Sequence, residues 1–356
     1  MKGTTRQADV TIGLDLGDMR CQACVLDAAG EVVERRSVAT TKVAMEGVFD
    51  EYVGCLLVME VGTHSPWVSR LFKTRGFKVI TANPRQVRLI TEGKHKTDRF
   101  DAEMLARLGR ADPALLSPVR HRGEEAQKHR SLLQARDGLV RCRVLLINQV
   151  RGMAKSLGVR VPKCSSTVFP RRVRETVGDD LFPGLATLLN TIAQHTADID
   201  DLDQEVTRLC RERYPEVALL QGVGGVGPIT ALSFVLTLED PERFSSSRKV
   251  GAYLGLCPRL HSSGDQQPQL RITKCGDETL RRYLVQAAHY ILGPFGPDCD
   301  LRRFGLRLCE RGGKNGKKRA VVAVARKLAI LLHHLWSTGE VYEPLIAANR
   351  AENRAA

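Results

Sequence analysis

Long apolar segments are absent from this chain of 356 residues. No run reaches the roughly 18 apolar residues that mark a candidate membrane-spanning helix. The N-terminal residues MKGTTRQADV also lack the apolar core of a signal peptide. We therefore expect a cytoplasmic protein without a membrane partner, in which the ten cysteines are reduced and buried rather than joined in disulfides.

Aromatic residues are scarce, at 5% of the sequence. Because proteins hold single-stranded nucleic acids largely by stacking bases on aromatic rings, this composition disfavours that kind of binding protein. Paired zinc ligands are missing too. Cys21 and Cys24 have the spacing of half a zinc site, but no second Cys or His pair follows at the usual distance. Within a predicted strand, these two thiols are better explained as core residues.

Acidic residues are outnumbered by basic ones. Lys and Arg total 54, Asp and Glu total 40, and the formal net charge is +14. A surplus of this size serves solubility, but it also favours a polyanionic partner such as a nucleic acid or an anionic membrane. The length is sufficient for two or three domains, each with its own core.

Residues 1–118 have the pattern of an α/β domain. Strand-like segments at 9–17, 20–27 and 31–38 are separated by short turns and predict a three-stranded meander. Strands and helices then alternate, and functional residues in such layered folds tend to lie at strand ends. The later elements that we predict are a helix near 43–54, a buried strand at 55–59, a helix at 65–75, a strand at 76–80 and a helix that starts at Asn83-Pro84.

Four carboxylates of this domain are candidate ligands of one divalent cation, Mg²⁺ or Mn²⁺, which prefer oxygen ligands. Asp15 ends an apolar run, and Glu60 follows five apolar residues, where a carboxylate needs a compensating cation or donor. Asp98 and Asp101 share one face of a predicted helix start. Each acid also has an ordinary explanation: a loop-edge Asp15, or Thr97 or Asp98 as a helix cap.

Residues 119–212 have the pattern of a helical coiled-coil arm. A helix at 124–157 and a second helix with an apolar seam are joined by the proline-containing segment 158–184. Two interpretations remain open, because the seam can join two subunits or close a hairpin within one chain. The seam positions are Leu185, Leu188, Ile192, His195, Ile199, Leu202, Val206 and Leu209.

Residues 213–300 form a further, mainly α unit that contains a match to the GxGxxG pattern at Gly222–Gly227. No strand–helix–strand pattern surrounds this match, and Pro228 follows it in a segment typical of a helix start, so we exclude a dinucleotide site. The glycines can expose backbone amides to a DNA backbone, or they can simply form a tight turn between two helices.

Residues 301–356 combine a basic loop with an amphipathic helix. Ten basic residues and one acid, Glu310, lie between Leu301 and Lys327. A solvated helix face is usually more balanced in charge, so the segment predicts phosphate contacts. The candidates are Lys314, Lys317, Lys318 and Arg319.

The motifs of the first 115 residues resemble a known family. They are Gly13-Leu14-Asp15, Glu60-Val61-Gly62, Asn83-Pro84 and Lys96-Thr97-Asp98-Arg99-x-Asp101-Ala102. Their order and spacing resemble the DEDD domain of the insertion-sequence transposases described as bridge-RNA-guided DNA recombinases. The resemblance implies an RNase H-like (RuvC-like) fold in which Asp15, Glu60, Asp98 and Asp101 are catalytic metal ligands.

The resemblance continues into the unit at 213–300. Tyr253–Pro258, Ser263-Gly264 and Thr273–Gly276 are similar to the YxGLxP, SG and (S/T)KxG elements of the same family's transposase domain. This similarity implies that Ser263 forms a covalent phosphoserine link to DNA, while Ser262 remains an alternative. The basic residues around the serines are interpreted as phosphate contacts or as an exposed basic face, namely Arg248, Lys249, Arg259, Arg271, Lys274, Arg281 and Arg282.

The resemblance also implies the partners. They are target and donor DNA, a noncoding bridge RNA that pairs with both, and further copies of the chain in a dimer or tetramer. Two other functions remain compatible with the residues. One is a RuvC-like nuclease or junction resolvase that uses metal-activated water, and the other is a non-catalytic nucleic-acid-binding protein whose acids are helix caps.

Overall fold

The computed structural model describes residues 10–91, 98–178, 183–259, 270–313 and 315–346. The chain divides into two compact units, Met1–Arg122 and Gly123–Ala356. The first boundary lies close to the predicted one at residue 118. The three later regions expected from the sequence belong to one compact unit, because the base of the arm shares a core with the helices that follow it.

A five-stranded mixed sheet forms the centre of the first unit, with the strand order β3-β2-β1-β4-β5. The first three strands form the predicted antiparallel meander, and β4 and β5 run parallel to β1. The predicted α/β class is thereby confirmed. The strands are β1 Thr11–Asp15, β2 Arg20–Leu26, β3 Val32–Ala39, β4 Leu56–Glu60 and β5 Lys78–Ala82.

Helices of the first unit follow the prediction except between β3 and β4. The helix expected near 43–54 is divided into a single turn, α1, and a 3-10 turn at Asp50–Tyr52. Gly47 and Gly54 fall in this stretch, and glycine lowers helix stability. The helices are α1 Lys42–Met45, α2 Ser65–Thr74, α3 Pro84–Thr91 and α4 Asp98–Ala111.

The two faces of the sheet carry different layers. On one face, the fully buried side chains of Ile12 and Leu14 belong to the same core as Phe49 and Phe72. On the other face, α4 lies directly on β1 at Gly13. A Cβ atom at Gly13 would stand 1.9 Å from the carbonyl oxygen of Ala102. Only glycine allows the helix to approach the strand this closely.

The second unit is a helical assembly with a long hairpin. Helices α5 and α7 pack side by side in antiparallel directions, as the Arg136–Asp203 ion pair near the base and the Arg143–Thr196 hydrogen bond farther along show. The helices are α5 Glu124–Ser156, α6 Phe169–Val177, α7 Pro183–Arg213, α8 Glu216–Gln221, α9 Pro228–Leu238, α10 Arg248–Tyr253, α11 Glu278–Leu292, α12 Asp300–Glu310 and α13 Gly316–Thr338.

The seam of α7 packs on α5 of the same chain, so the structure shows the hairpin interpretation. Five of the eight predicted seam residues are buried, but Leu188, His195 and Leu202 are only half-buried, while Leu189 and Thr196 occupy buried positions instead. A straight α-helix has 3.6 residues per turn and drifts away from a strict seven-residue repeat, which accounts for the displaced positions.

Helix α13 is a core helix of the second unit. In the described part of the chain it is the one helix long and apolar enough to cross a membrane, judged by length and composition, and half of its apolar window is buried. Its buried residues Val324, Leu328 and Leu332 belong to the main core, against α11 and α12. Packing inside the unit accounts for its apolar composition.

Candidate active site

Asp15 and Glu60 end two neighbouring parallel strands. The register of β1 and β4 places Leu14 beside Met59, so the next residue of each strand reaches the same edge of the sheet. Adjacent strands are about 4.8 Å apart. Side chains alternate along a strand, so Asp15 shares the α4 face with Gly13, and Glu60 shares it with Val58, which contacts that helix. Both carboxylates are half-buried.

Helix α4 directs its first turn toward the same edge. In its last turn, Arg110 donates hydrogen bonds to the carbonyls of Asp27, at 3.2 Å, and Ala28. These residues follow β2 beside the start of β1, so the other end of α4 points toward Asp15. Asp101 is half-buried in that first turn. Asp98 begins the helix, but its side chain lies outside the described residues.

The carboxylates at this edge have the chemistry of Mg²⁺ or Mn²⁺ ligands, because both cations prefer oxygen donors. Within the residues that the structure describes, no group of three or more His, Cys, Asp or Glu side chains is close enough to hold a metal ion. Asp15, Glu60 and Asp101 are all among these residues, so these three predicted ligands are not gathered closely enough to form such a group; the Asp98 side chain lies outside the described residues. The donor type therefore fits a divalent cation, and the described geometry brings Asp15 and Glu60 together on adjacent strands.

A histidine that sequence reasoning missed lies at the carboxyl ends of the same strands. His64 Nδ1 accepts a hydrogen bond from Trp67 Nε1 at 3.1 Å, so the ring proton of the neutral imidazole is on Nε2. Nε2 lies 3.3 Å from Asp18 Oδ1 in the loop after β1. The loop after Glu60 is closed by Ser65, whose hydroxyl donates to the carbonyl of Gly62 at 2.8 Å. A single histidine after a strand has no sequence signal of its own.

Cys21 and Cys24 lie on opposite faces of β2. Cys21 packs in the core with Ile12, and Cys24 packs with Ala102 of α4, so the two thiols cannot share a metal. Both are fully buried, which confirms them as core residues. Burial raises the pKa of the Cys21 thiol, and the nearby charge of Asp15 acts in the same direction. A neutral thiol therefore borders the carboxylate edge.

Ser262 and Ser263 lie outside the described residues, but the chain on either side of them is described. The backbone N–H of Arg259 donates to the carbonyl of Arg271 at 2.9 Å, and Pro258 and Ile272 form an antiparallel bridge. The segment 260–269, which carries both serines, therefore starts and ends at neighbouring positions.

Arg281 differs from the predicted phosphate contact. Its side chain is buried, with 9% of the residue exposed, and Nη1 donates to the carbonyls of Leu254 at 3.0 Å and Cys275 at 2.9 Å. The guanidinium thus ties the end of α10 to the segment before α11. A positive charge with these backbone partners is engaged inside the protein rather than presented to a ligand.

Arg282 also has a protein partner. Its guanidinium donates to Asp137 of α5 at 2.7 Å, and the Asp137 side chain is only 7% exposed. A second ion pair joins the same helices, because Arg130 of α5 contacts Asp277 at 2.5 Å, directly before α11. Asp277 also caps α11 by accepting from the N–H of Leu280 at 2.9 Å. These pairs fix α5 against the helix that follows the serine segment.

The remaining basic candidates are presented to solvent where the structure describes them. Lys314 lies outside the described residues. The exposed residues near the serine segment or at the start of α13 are Arg248, Lys249, Arg259, Arg271, Lys274, Lys317, Lys318 and Arg319.

The glycine-rich segment forms the turn between α8 and α9. In the described part of the chain, no strand adjoins this segment, and α9 starts at Pro228. Both observations agree with the expectation that the segment is not a dinucleotide site. Gly225 has a positive φ of 85°, and a Cβ atom there would stand 2.9 Å from Tyr290 of α11. The glycines therefore serve a tight turn that is packed against α11.

Two family models match the chain. Residues 12–158 match the IS110-type DEDD model described as a transposase, and residues 217–297 match the model of the transposase IS116/IS110/IS902 family. The first match contains the carboxylate edge, and the second contains the serine segment with the helices that hold it.

Curated relatives extend over nearly the whole chain. The transposase for insertion sequence element IS1111A of Coxiella burnetii is 30% identical over 340 residues, which cover 93% of this chain and 90% of that protein. A probable family 20 transposase of Pseudomonas aeruginosa is 28% identical and covers 94% of this chain and 98% of its own length. The pilin gene-inverting protein of Moraxella bovis is 26% identical over 281 residues, 77% of either chain.

Proposed function

Because the chain belongs to the IS116/IS110/IS902 family of transposases, we propose that it cuts and rejoins insertion-sequence DNA through a covalent phosphoserine. Ser263 is the proposed nucleophile, and a noncoding bridge RNA is the proposed guide. The observation that carries the proposal is the position of Asp15 and Glu60 at the ends of paired strands, on the face covered by α4.

The carboxylate half of the site would hold Mg²⁺ or Mn²⁺. Such a cation would stabilise the negative charge that develops on the phosphate while one phosphoester bond replaces another. Asp15 and Glu60 belong to the sheet, which keeps their relative position fixed, and Asp98 and Asp101 would contribute from the start of α4. Gly13 lets that helix lie close to the strand that ends at Asp15.

The serine half of the site would carry the covalent step. The Ser263 Oγ–phosphorus bond forms while the bond from phosphorus to a deoxyribose oxygen breaks, and the serine proton ends on the released hydroxyl. A deoxyribose hydroxyl of a second strand then attacks the phosphoserine and releases the serine. The number of phosphoester bonds is unchanged, so rejoining needs no external energy source.

Exposed basic residues around the serine segment support DNA as the substrate. Arg259 and Arg271 flank the segment directly. Arg248, Lys249 and Lys274 lie in adjacent parts of the same chain. The Moraxella relative is named for inverting a pilin gene, which is a DNA rearrangement and agrees with cutting followed by rejoining. We infer a cytoplasmic homo-oligomer, a dimer or tetramer, that acts on target and donor DNA paired with the bridge RNA.

The proposed nucleophile is tested by trapping the covalent adduct. Purified protein is incubated with Mg²⁺, bridge RNA and labelled junction DNA, and the adduct is measured on a denaturing gel. Ser263→Ala should lower its yield by at least about 100-fold, because the attacking oxygen is lost. Ser262→Ala is the matched control and should retain the adduct. An adduct that survives Ser263→Ala but not Ser262→Ala would move the role to Ser262.

The same assay separates the proposed mechanism from hydrolysis by metal-activated water. Strand cleavage without an adduct, retained when both serines are alanine, would show a RuvC-like nuclease and overturn the serine mechanism. Asp15→Asn should abolish both cleavage and adduct formation while DNA binding persists. Unchanged rearrangement by this variant would leave the acids as structural caps and contradict the proposed metal site.

A further inference from the structure

The outer end of the α5–α7 hairpin, residues 151–178, is a small folded module that we call the arm tip. It has a core of its own, separate from the main core of the second unit. Ala154, Phe169 and Val173 are buried there against Leu185 and Leu189 of α7. The arm tip therefore presents a surface whose backbone is fixed by packing.

The surface of the arm tip is strongly basic. Its 28 residues include seven Lys or Arg residues and one acid, Glu175, a net charge of +6 in a chain whose total is +14. Asp179 and Asp180 come next in the sequence, outside the described residues. The basic side chains that the structure shows as exposed are Lys155, Arg160, Lys163, Arg171, Arg172 and Arg174.

One basic residue of the arm tip is structural. Arg151 donates to the carbonyls of Val161 at 3.0 Å and Pro162 at 3.3 Å, and its guanidinium carbon lies 5.0 Å from the centroid of the Phe169 ring. These contacts hold the loop that carries Arg160 and Lys163. The two exposed cations are thus mounted on an anchored loop.

Local interactions do not neutralise the positive charge of α6. Arg171 and Arg172 lie in its first turn, where positive charge opposes the helix dipole and where no acid is present. Both guanidinium groups share one carboxylate, Glu175, at 3.4 Å and 3.2 Å. Arg174 instead donates to Asn190 at 2.8 Å. An external anion would balance this charge.

We propose that the arm tip binds the phosphate backbone of a nucleic-acid duplex, away from the serine segment. Lys155 lies 18 residues beyond Asp137, the partner of Arg282 in α11. At the rise of an α-helix this is roughly 27 Å, the length of about eight base pairs. DNA and RNA share the phosphodiester chemistry, and either can occupy the surface. The proposal goes beyond the function inferred above and needs neither Ser263 nor the carboxylates.

Binding by the full chain in EDTA tests the proposal without any cleavage chemistry. Fluorescence anisotropy gives Kd for a labelled DNA duplex and for an RNA hairpin with a stem of equal length, about 30 base pairs, over a range of salt concentrations. The test variant combines Lys155→Gln, Arg160→Gln and Lys163→Gln. The matched control combines Arg208→Gln, Arg211→Gln and Arg213→Gln, three exposed residues at the other end of α7 with the same change in charge.

The arm-tip variant should weaken binding by at least about tenfold near 0.1 M salt and lower the slope of log Kd against log salt by about two to three. The control should change Kd by less than about twofold, because distant exposed charges are screened. The duplex with the larger loss identifies the natural occupant. An equal loss of affinity in the arm-tip variant and in the control would overturn the proposal. Unchanged affinity of the arm-tip variant would also overturn it. If light scattering then shows a smaller oligomer, the arm tip forms a contact between copies of the chain.

Discussion

Gly13 is the residue on which the approach of α4 to β1 depends. In Gly13→Ala, the new methyl group would stand 1.9 Å from the Ala102 carbonyl oxygen and 2.6 Å from the Ala106 nitrogen. Both are backbone atoms, so only a shift of the whole helix relieves the clash. We expect a loss of about 3 kcal/mol in the free energy of unfolding, measured by urea denaturation.

The matched control for this change is Gly62→Ala. A Cβ atom at Gly62 would meet nothing within 4 Å, so this variant should unfold within about 0.5 kcal/mol of the parent. If Gly13→Ala were equally harmless, the tight packing of α4 on β1 would be contradicted. Because Asp98 and Asp101 start this helix, loss of DNA cleavage should accompany the loss of stability.

Arg281 shows why individual side-chain roles are hard to predict. In the sequence it belongs to a cluster of cations around two serines, which favours phosphate contacts. The structure uses it to bind the carbonyls of Leu254, 27 residues away, and Cys275. Nothing in composition or spacing indicates those partners, because they depend on how α10 meets α11. The strand-end acids were easier to predict, since apolar runs fix where β1 and β4 end.

At the scale of elements, the junction between α5 and α11 depends on the buried carboxylate of Asp137. Asp137→Ala leaves Arg282 without its partner at 2.7 Å and removes a charge that is 7% exposed. Because Arg282 is 39% exposed and can turn toward water, we expect a loss of about 2–3 kcal/mol in unfolding free energy, below the range for a fully buried pair.

Asp203→Ala provides the comparison for that variant. Asp203 of α7 pairs with Arg136, the neighbour of Asp137 in α5, but is 39% exposed, so its loss should cost no more than about 1 kcal/mol. Denaturant unfolding followed by circular dichroism measures both variants. Equal costs would show that the Asp137 pair has no special part in holding α5 on α11.

Element prediction succeeded where local signals were strong. Long helices α5 and α7 were predicted almost to their ends, because apolar residues recur over many turns and prolines separate the two helices. The helix expected near 43–54 was only partly correct, since it is one turn of α-helix followed by a 3-10 turn. The arm tip was missed because its core joins α5, α6 and α7 across more than 30 residues of sequence.

At the scale of the whole molecule, the carboxylates and the serine belong to different compact units. In the proposed homo-oligomer, the serine of one subunit can complete either its own carboxylate site or that of another subunit. If it completes the site of another subunit, Asp15→Asn and Ser263→Ala, each inactive alone, should recover strand transfer when the two proteins are mixed or coexpressed. The expected recovery is up to about a quarter of the parent activity when subunits assort randomly in a dimer.

Strand transfer by the mixture is compared with that of each variant alone, at equal total protein concentration. A mixture of Asp15→Asn with Asp101→Asn is the control, because both changes affect the carboxylate half and cannot complement across subunits. Activity that stays at the level of the single variants would show that each subunit uses its own serine and carboxylates.

The pairing of Pro258 with Ile272, on either side of the serine segment, has a consequence for engineering and for natural variation. Because Pro258 pairs with Ile272 and Arg259 with Arg271, the sequence between these pairs can be exchanged as a cassette between relatives in which it differs in length, without moving α10 or α11. Chimaeras joined at Pro258 and Ile272 would carry the donor's serine segment on an unchanged scaffold. DNA preferences that travel with this segment can then be mapped separately from those of the rest of the chain.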